Sequence, residues 1–235
     1  MDLPIYVIHC KTGLEERRRS IESQLGQFGL TFEFILEHDR DELDPKVCQK
    51  YFSQSYPNNL ISLSLKHREG MRRLVASGHK TGLILEDDVI LCPDFPIQLE
   101  KVLKESNHLA FPHVIYLSNY GNRYTPRSKL KKNKLIYENN QSRACDSYLI
   151  TANACANRLD WWEKNIFSLP IDHQVNVIDP SVGIKIFWAE PTLIEQGSEN
   201  GTFNSSIGTP HQQWFKWAKW NIDKFYKKHI LRNLR

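Results

Sequence analysis

The chain has 235 residues, of which 40% are hydrophobic and 25% are charged, as in ordinary globular proteins. This length suits one large domain, or one domain with a small appendage. No apolar run approaches the roughly 20 residues of a transmembrane helix, and the first residues lack the pattern of a signal peptide. The five cysteines are scattered and never form a Cys-x-x-Cys pair, which argues against a disulfide framework or a zinc site. We therefore expect a cytoplasmic protein.

The N-terminal part predicts a strand, a helix and a second strand, over residues 3–10, 14–28 and 31–36. This order is typical of a right-handed parallel unit in an α/β protein. His9 and Lys11 lie where the first strand ends. They are therefore candidates for binding a nucleotide phosphate or base.

Residues 81–90 predict a buried strand that ends in three consecutive carboxylates, Glu86, Asp87 and Asp88. Open α/β sheets bind ligands at the carboxyl ends of their strands, so we expect a site here. Adjacent carboxylates repel one another and are costly at a buried edge unless a cation neutralises them. Their oxygens suit Mg²⁺ or Mn²⁺, bound by one or two carboxylates together with a substrate phosphate. The alternative is an acidic turn that caps the next helix.

The remaining pattern alternates strands and helices, which predicts an α/β fold with a mostly parallel sheet flanked by helices. The predicted elements are a helix over 60–77, a helix that starts near 96, a strand over 113–118, a strand over 146–151, a helix over 152–162 and a strand over 184–189. Residues 119–143 predict a basic loop or hairpin, which is either a functional lid or an ordinary soluble loop. Residues 197–209 predict a flexible segment.

Residues 211–235 have a local net charge of +6, whereas the whole chain has +4, so the rest of the chain is slightly acidic. A helix there would place Phe215, Ala218, Ile222, Phe225 and Tyr226 on one face, and Lys216, Lys224, Lys227 and Lys228 with Trp217 and Trp220 on the other. Tryptophan interleaved with lysine favours an anionic membrane surface as the partner of residues 211–235. The alternative is a helix packed on the domain. No motif supports a nucleic-acid partner.

Six segments occur in an order that resembles glycosyltransferase family 25, the bacterial lipooligosaccharide galactosyltransferases. They are residues 7–25, the helix with Ser64 and His67, residues 83–89, 148–150, 170–172 and 195–198. The resemblance covers about residues 3–208. It implies a GT-A type (Rossmann-like) fold, a nucleotide-sugar donor that is usually UDP-galactose, a divalent metal and inversion at the anomeric carbon. The family often has an adjacent Ser-His pair where this chain has Ser64-Leu-Lys-His67, so the role of Ser64 stays open.

The resemblance also implies roles for the donor-side residues. Asp88 is expected to be the main metal ligand, and Glu86 or Asp87 is expected to contact the metal, its water, the ribose or the donor sugar. Arg17 or Arg18 is expected to pair with the donor diphosphate. Gln196 and Ser198 are expected to contact the donor or the acceptor.

Inversion requires a carboxylate on the opposite face of the donor sugar to deprotonate the acceptor hydroxyl. Asp172 is the first candidate for this general base, and Glu195 and Asp146 are the weaker ones. The alternative role for Asp172 is the capping of a following turn.

We therefore expect a catalytic domain over residues 1–209 and a basic, aromatic helical tail over residues 210–235. The expected reaction is transfer of galactose from UDP-galactose, with Mn²⁺ or Mg²⁺, onto a lipid-linked oligosaccharide of lipooligosaccharide or lipopolysaccharide at the cytoplasmic face of the inner membrane. Two other classes stay open. One is a Mg²⁺-dependent phosphohydrolase or nuclease that uses the same carboxylates, and the other is a non-catalytic relative that binds sugar or lipid.

Overall fold

The structure, a computed structural model, describes residues 2–203 and 213–234, without the side chains of residues 213–216. Its strands are β1 (Ile5–Ile8), β2 (Glu33–Ile35), β3 (Thr81–Glu86), β4 (Val89–Leu91), β5 (His113–Tyr116), β6 (Ile136–Asn139), β7 (Ser147–Thr151), β8 (Lys185–Ala189) and β9 (Ile194–Gln196). Its helices are α1 (Glu15–Gln27), α2 (Pro45–Tyr51), α3 (Asn58–Ser77), α4 (Phe95–Ser106), α5 (Ala152–Lys164), α6 (Ile171–Ser181), α7 (Gly197–Asn200), α8 (Gln213–Phe225) and α9 (Arg232–Leu234), with a π-helical segment over Tyr226–Leu231 between the last two.

Seven strands form the central sheet, in the order β2-β1-β3-β7-β5-β8-β6. Strand β1 runs parallel to β2 and β3, and β5 runs parallel to β8, whereas β7 and β6 run antiparallel to their neighbours. A second, two-stranded antiparallel sheet joins β4 to β9. The predicted α/β fold with a mostly parallel sheet between helices is confirmed.

The apolar run of β3 is buried because helices cover both faces of the sheet. Ile84 packs into the core on the α3 side, together with Leu74. Leu83 and Leu85 pack on the opposite side, together with Ile21 of α1. A strand buried on both faces has no polar alternation, which accounts for the continuous apolar sequence before Glu86.

The register of β1 against β3 brings two chain segments to the same edge of the sheet. Ile8 pairs with Glu86, so His9 and Asp87 follow at the carboxyl ends of neighbouring parallel strands. This edge is where an open α/β sheet offers its ligand site.

Helix α6 is held to α5 by a buried ion pair. The Arg158 Nε and Nη2 atoms donate to the two Asp179 carboxylate oxygens, at 2.7 and 2.6 Å. Both side chains are almost completely excluded from solvent. This bidentate pair fixes the orientation of α6, whose first turn contains Asp172.

One local prediction needs correction, and two elements are not predicted. The basic segment 119–143 contains strand β6, which pairs with β8 at the edge of the sheet. Local sequence patterns predict neither helix α6 nor the small sheet of β4 with β9. Each of these elements is either short or stabilised by a partner far away in sequence, so local periodicity does not reveal it.

The C-terminal helices pack on the domain through their polar side. Trp220 is only 6% exposed, whereas Ile222 is 71% and Phe225 is 62% exposed. Lys224 and Lys227, which the helical wheel groups with Trp220, also contact the domain, through Glu195 and the Gly121 carbonyl oxygen. The grouping of Trp220 with these two lysines therefore holds, but this side of the helix faces the domain. The predicted 209/210 boundary and the side chains of Phe215 and Lys216 lie outside the described residues.

Candidate active site

A cavity of about 300 Å³ lies at the carboxyl edge of β1 and β3, and we call it the β1 cavity. Its walls come from the N-terminal part of the chain, between β1 and the turn after β3. The charged and polar side chains among its lining residues are His9, Thr12, Arg17, Asp39, Arg40, Asp41, Asn59, Ser62, Lys66, Glu86 and Asp87.

Asp87 ties two of these side chains together at the base of the β1 cavity. One carboxylate oxygen lies 2.6 Å from His9 Nδ1, and the other accepts a hydrogen bond from Arg17 Nη1 at 3.1 Å. The same guanidinium nitrogen lies 3.8 Å from Asp88 Oδ2. All four side chains are buried, so the network holds the imidazole and the guanidinium in fixed positions.

Lys66 and Asp39 form a second fixed pair in this cavity, which no pattern in the sequence singles out. Lys66 is 1% exposed, and its Nζ lies 2.7 Å from Asp39 Oδ1 and 2.8 Å from the carbonyl oxygen of Glu37. Asp39 also accepts a hydrogen bond from the Lys11 backbone N–H at 3.0 Å. The pair orders the loop after β2 against the end of β1. The only signal in the sequence is one lysine on the buried side of a helix.

Glu86 lies between the β1 cavity and a second cavity, because it lines both. Burial raises the pKa of its carboxyl well above the usual range, and the neighbouring Asp88 and Asp146 carboxylates raise it further. The Glu86 backbone N–H donates to the Asp146 carbonyl oxygen at 2.7 Å. Leu63 is also shared, so Glu86 is the ionisable side chain that can face ligands in both cavities.

Asp88 and Asp146 are more deeply buried. Asp88 is 2% exposed, and its Oδ1 atom has no hydrogen-bond partner among the described residues. Burial raises the pKa of Asp88, while the Arg17 charge and the Ser198 hydroxyl lower it. Burial raises the pKa of Asp146 to about 8, although Ser118 Oγ donates to its Oδ1 at 2.8 Å.

These carboxylates fit a cation that shares its coordination shell with a ligand. Across residues 2–203 and 213–234, no three His, Cys, Asp or Glu side chains form a site that could hold a metal by themselves. The unpartnered oxygen of Asp88 and the raised pKa values of Asp88 and Glu86 mark a place where positive charge is favourable. Mg²⁺ and Mn²⁺ are commonly bound by one or two carboxylates, with phosphate oxygens completing the shell.

The turn after β3 is fixed to the segment after β9 by a close backbone contact. The Gly197 N–H donates to the Asp88 carbonyl oxygen at 2.6 Å. A Cβ atom at position 197 would lie 2.7 Å from that oxygen and 2.5 Å from the Phe203 ring, so only glycine fits. This contact brings Gln196 and Ser198 beside the carboxylates of the turn.

The second cavity, which we call the α6 cavity, has a volume of about 450 Å³. Among its lining residues are Glu86, Tyr120, Asp172, His173, Gln196, Ser198 and Glu199. These residues come from separate parts of the chain. Tyr120 and Glu199 are absent from the sequence-based set, because no local pattern links them to the carboxylates.

Asp172 lies in the first turn of α6 with its side chain 29% exposed. The N-cap residue is Pro170, and the Asp172 carboxylate makes no hydrogen bond to a described residue. His173 Nε2 lies 3.9 Å from Asp172 Oδ2. The Asp172 carboxylate therefore lines the α6 cavity without a hydrogen bond to the described residues.

Four predicted site residues, Lys11, Arg18, Asp88 and Glu195, are not among the lining residues of either cavity, and neither is Asp146. Asp88 lies behind the β1 cavity, with its Oδ2 atom 3.8 Å from Arg17 Nη1. Lys11 Nζ binds Glu42 at 2.6 Å, and Arg18 Nε binds Glu22 at 2.9 Å. Glu195 forms an ion pair with Lys224 of α8. Its neighbour Gln196 reaches the α6 cavity because successive side chains of a strand point to opposite faces.

The sequence profile of glycosyltransferase family 25, a family of LPS biosynthesis proteins, matches residues 2–175. This match makes the chain a glycosyltransferase. It belongs to glycosyltransferase family 25, and its mostly parallel sheet between helices is the GT-A-like architecture that the resemblance implies. The sequence has no significant match among curated proteins.

The similarity of this chain to solved structures is weaker than its match to the family profile. The structure of A197 from STIV has 11% identity and a TM-score of 0.43, over 89% of this chain and 100% of that chain. The catalytic domain of Drosophila β1,4-galactosyltransferase 7 in complex with xylobiose has 8% identity and a TM-score of 0.45, over 91% of this chain and 78% of that chain. A glycosyltransferase involved in glycosylation of the major capsid of PBCV-1 has 9% identity and a TM-score of 0.38, over 94% and 98%. The family assignment rests on the profile match alone.

Proposed function

We propose that this glycosyltransferase moves galactose from UDP-galactose onto a lipooligosaccharide or lipopolysaccharide core glycan, with inversion at the anomeric carbon. The observation that carries the proposal is the position of Glu86 between the β1 and α6 cavities. Donor and acceptor bound on either side of this carboxylate would meet beside Asp88. The choice of galactose and of UDP rests on the family resemblance.

The β1 cavity is the proposed donor site. Its edge position suits a nucleotide diphosphate, and Arg17 contributes positive charge to its wall. Asp88 and Glu86 would bind Mn²⁺ or Mg²⁺ together with the diphosphate, and Asp87 would keep His9 and Arg17 in place. A divalent cation there would stabilise the negative charge that develops on the departing UDP.

The α6 cavity is the proposed acceptor site, with Asp172 as general base. Asp172 would take the proton of the acceptor hydroxyl while its oxygen attacks the anomeric carbon and the bond to UDP breaks. Attack from the side opposite the leaving group inverts the anomeric configuration. Gln196 and Ser198, which line the acceptor side close to Asp88, would orient the sugars by hydrogen bonds.

The C-terminal helices are the proposed membrane contact of the protein. Their outward side exposes Trp217, Ile222, Phe225, Tyr226, Ile230 and Leu234. Lys219 and Lys228 are exposed on the same helical segment, and lysines beside apolar and aromatic residues suit an anionic bilayer surface. No helix of the described residues is long and apolar enough to cross a membrane. We therefore propose peripheral binding to the inner membrane, which would place the lipid-linked acceptor near the α6 cavity.

The direct test is a transfer assay with UDP-galactose, UDP-glucose and UDP-N-acetylglucosamine, each with a core oligosaccharide acceptor and with Mn²⁺ or EDTA. We expect release of UDP that depends on both the acceptor and the metal and is fastest with UDP-galactose. Metal-dependent hydrolysis that is unaffected by the acceptor would instead support a phosphohydrolase. Donor binding without turnover would support a non-catalytic relative.

A further inference from the structure

A third depression, the tail groove, extends the α6 cavity toward the C-terminal helices. It has a volume of about 380 Å³ and shares Ser198 and Glu199 with the α6 cavity. Its other walls are Gly121 and residues of the C-terminal helices, among them Lys219, Trp220 and Asp223. A ligand longer than the α6 cavity could therefore continue into the tail groove along Ser198 and Glu199.

The walls of the tail groove are fixed by contacts between the helices and the loop after β5. The Asn122 side-chain amide donates to Asp223 Oδ2 at 3.0 Å and to the Trp220 carbonyl oxygen at 3.4 Å. Lys227 Nζ donates to the Gly121 carbonyl oxygen at 3.0 Å. Asn122 is 1% exposed, so these bonds are shielded from water. The loop that they hold also carries Tyr120 of the α6 cavity.

The charges of the tail groove indicate which ligand it suits. Two acidic residues, Glu199 and Asp223, and two basic residues, Lys219 and Lys227, line it. Asp223 and Lys227 already form an ion pair, with 2.8 Å between Lys227 Nζ and Asp223 Oδ2. Carboxylates accept hydrogen bonds from hydroxyl groups, and ammonium groups donate to hydroxyl oxygens. A phosphorylated unit would add negative charge beside two carboxylates, while one of the two lysines, Lys227, is already paired with Asp223. An uncharged polyhydroxylated ring would find a donor in Lys219 and an acceptor in Glu199.

We propose that the tail groove is an acceptor subsite that binds an uncharged saccharide unit next to the one that receives the transferred sugar. This inference rests on the proposed function, because it takes the α6 cavity as the acceptor site. The C-terminal helices would then recognise part of the glycan in addition to their proposed contact with the membrane. Lys219 would donate a hydrogen bond to the second sugar, and Glu199 would accept one at the boundary of the two cavities.

The test compares soluble acceptors of one and of two neutral sugar units, in detergent-free solution so that no membrane contributes. For the wild type we expect a KM about tenfold lower for the disaccharide, since a hydrogen bond to a charged group is worth about 1.5–3 kcal/mol. In Lys219→Ala the KM for the single sugar divided by the KM for the disaccharide should fall from about ten toward one. Lys101→Ala removes an exposed lysine on α4, far from the tail groove in sequence, and should keep the wild-type ratio.

A Lys219→Ala ratio equal to that of the wild type, or a wild-type enzyme that does not distinguish the two acceptors, would overturn the subsite. In either case transfer to the single sugar would leave the proposed function standing. No transfer to any acceptor by the wild type would overturn the proposed function, and the subsite with it. Preference for a phosphorylated disaccharide over the neutral one would also contradict the proposal.

Discussion

The β1 cavity and the α6 cavity share Glu86 but are built in opposite ways. In the β1 cavity the charged side chains already have partners, since Asp87 binds His9 and Arg17. In the α6 cavity the Asp172 carboxylate makes no hydrogen bond to a described residue. Paired groups hold their geometry before a ligand arrives, which suits the precise placement of a diphosphate. A carboxylate without a hydrogen-bond partner is available to a ligand. The difference is in keeping with the proposed roles, a donor site whose side chains are fixed in advance and an acceptor site whose carboxylate is not.

The largest expected effect comes from removing the proposed base. Asp172→Asn should lower kcat by about 10²- to 10⁴-fold, because a positioned general base typically contributes that much. Binding of UDP-galactose, measured by calorimetry, should stay near the wild-type value because Asp172 does not line the β1 cavity. Glu195→Gln serves as the comparison, since Glu195 is paired with Lys224 outside both cavities. A loss of activity in Glu195→Gln as large as that in Asp172→Asn would contradict this assignment of the base.

The next effect tests the Arg158–Asp179 ion pair, which holds helix α6 against α5. Asp179→Asn leaves the Arg158 guanidinium buried without its carboxylate partner, and such a change typically costs about 3–5 kcal/mol of unfolding free energy. Denaturant unfolding measures this loss. Asp160→Asn, on the same α5 as Arg158 but outside the ion pair, should change stability by about 0.5 kcal/mol or less. Equal stability of the two variants would show that the pair does not hold α6.

A pH-dependent effect is expected at His67 on helix α3, and its size per pH unit is smaller than the loss expected for Asp179→Asn. Burial lowers the pKa of His67 from 6.5 to about 3. The unfolded chain therefore binds a proton that the folded protein excludes, between these two pH values. Stability should fall as the pH drops from about 6.5 toward 3, by up to about 1.4 kcal/mol per pH unit.

His67→Gln should make the acid side of the stability curve shallower than that of the wild type. His108→Gln, at an exposed position, should leave the slope as it is. Denaturant titrations at a series of pH values measure the dependence of the unfolding free energy on pH for each variant. Parallel curves for the wild type and His67→Gln would contradict the expectation.

The smallest expected effect concerns the tail. Ile222→Glu with Phe225→Glu should lower binding to vesicles that contain anionic lipid by about tenfold or more, since each buried apolar side chain is worth about 1.5–3 kcal/mol. Ile97→Glu, at an exposed apolar position on α4, should leave vesicle binding unchanged. Equal binding of the double variant and the wild type in a sedimentation assay would contradict the proposed membrane contact. The C-terminal helices would then only pack on the domain and line the tail groove.

The two cavities also differ in how far the sequence predicts them. Strand β3 and its carboxylates are predictable, because a continuous apolar run followed by Glu86, Asp87 and Asp88 is typical of a buried strand that ends at a ligand site. His9 is predictable as a neighbour of the acidic turn, because parallel strands bring their carboxyl ends together. The contact of Arg17 with Asp87 is not predictable in this way, since Arg17 lies on helix α1. The pairing of Lys66 with Asp39 is not predictable from the sequence, since it depends on the path of the loop after β2.

The acceptor side is harder to predict. Asp172 is singled out by the family resemblance, but helix α6 and the Arg158–Asp179 pair that orients it come from residues without local periodicity. Tyr120 and Glu199 line the α6 cavity because the tertiary structure places their chain segments there. The helical wheel separates the faces of the tail but cannot show that its polar side packs on Asn122 and Glu195. Contacts between distant segments decide these points, and a single sequence does not encode them locally.

The central claim is that the β1 cavity binds UDP-galactose together with a divalent cation held by Asp88. The most direct test is a thermal unfolding titration of the wild type and Asp88→Asn with UDP-galactose, in Mn²⁺ and in EDTA. A ligand at 100 times its dissociation constant stabilises the folded state by about 2.7 kcal/mol, which shifts a melting curve measurably. We predict stabilisation of the wild type by donor with Mn²⁺, and none in EDTA or in Asp88→Asn. Equal stabilisation of the two proteins, or stabilisation of the wild type that is unaffected by EDTA, would contradict the claim.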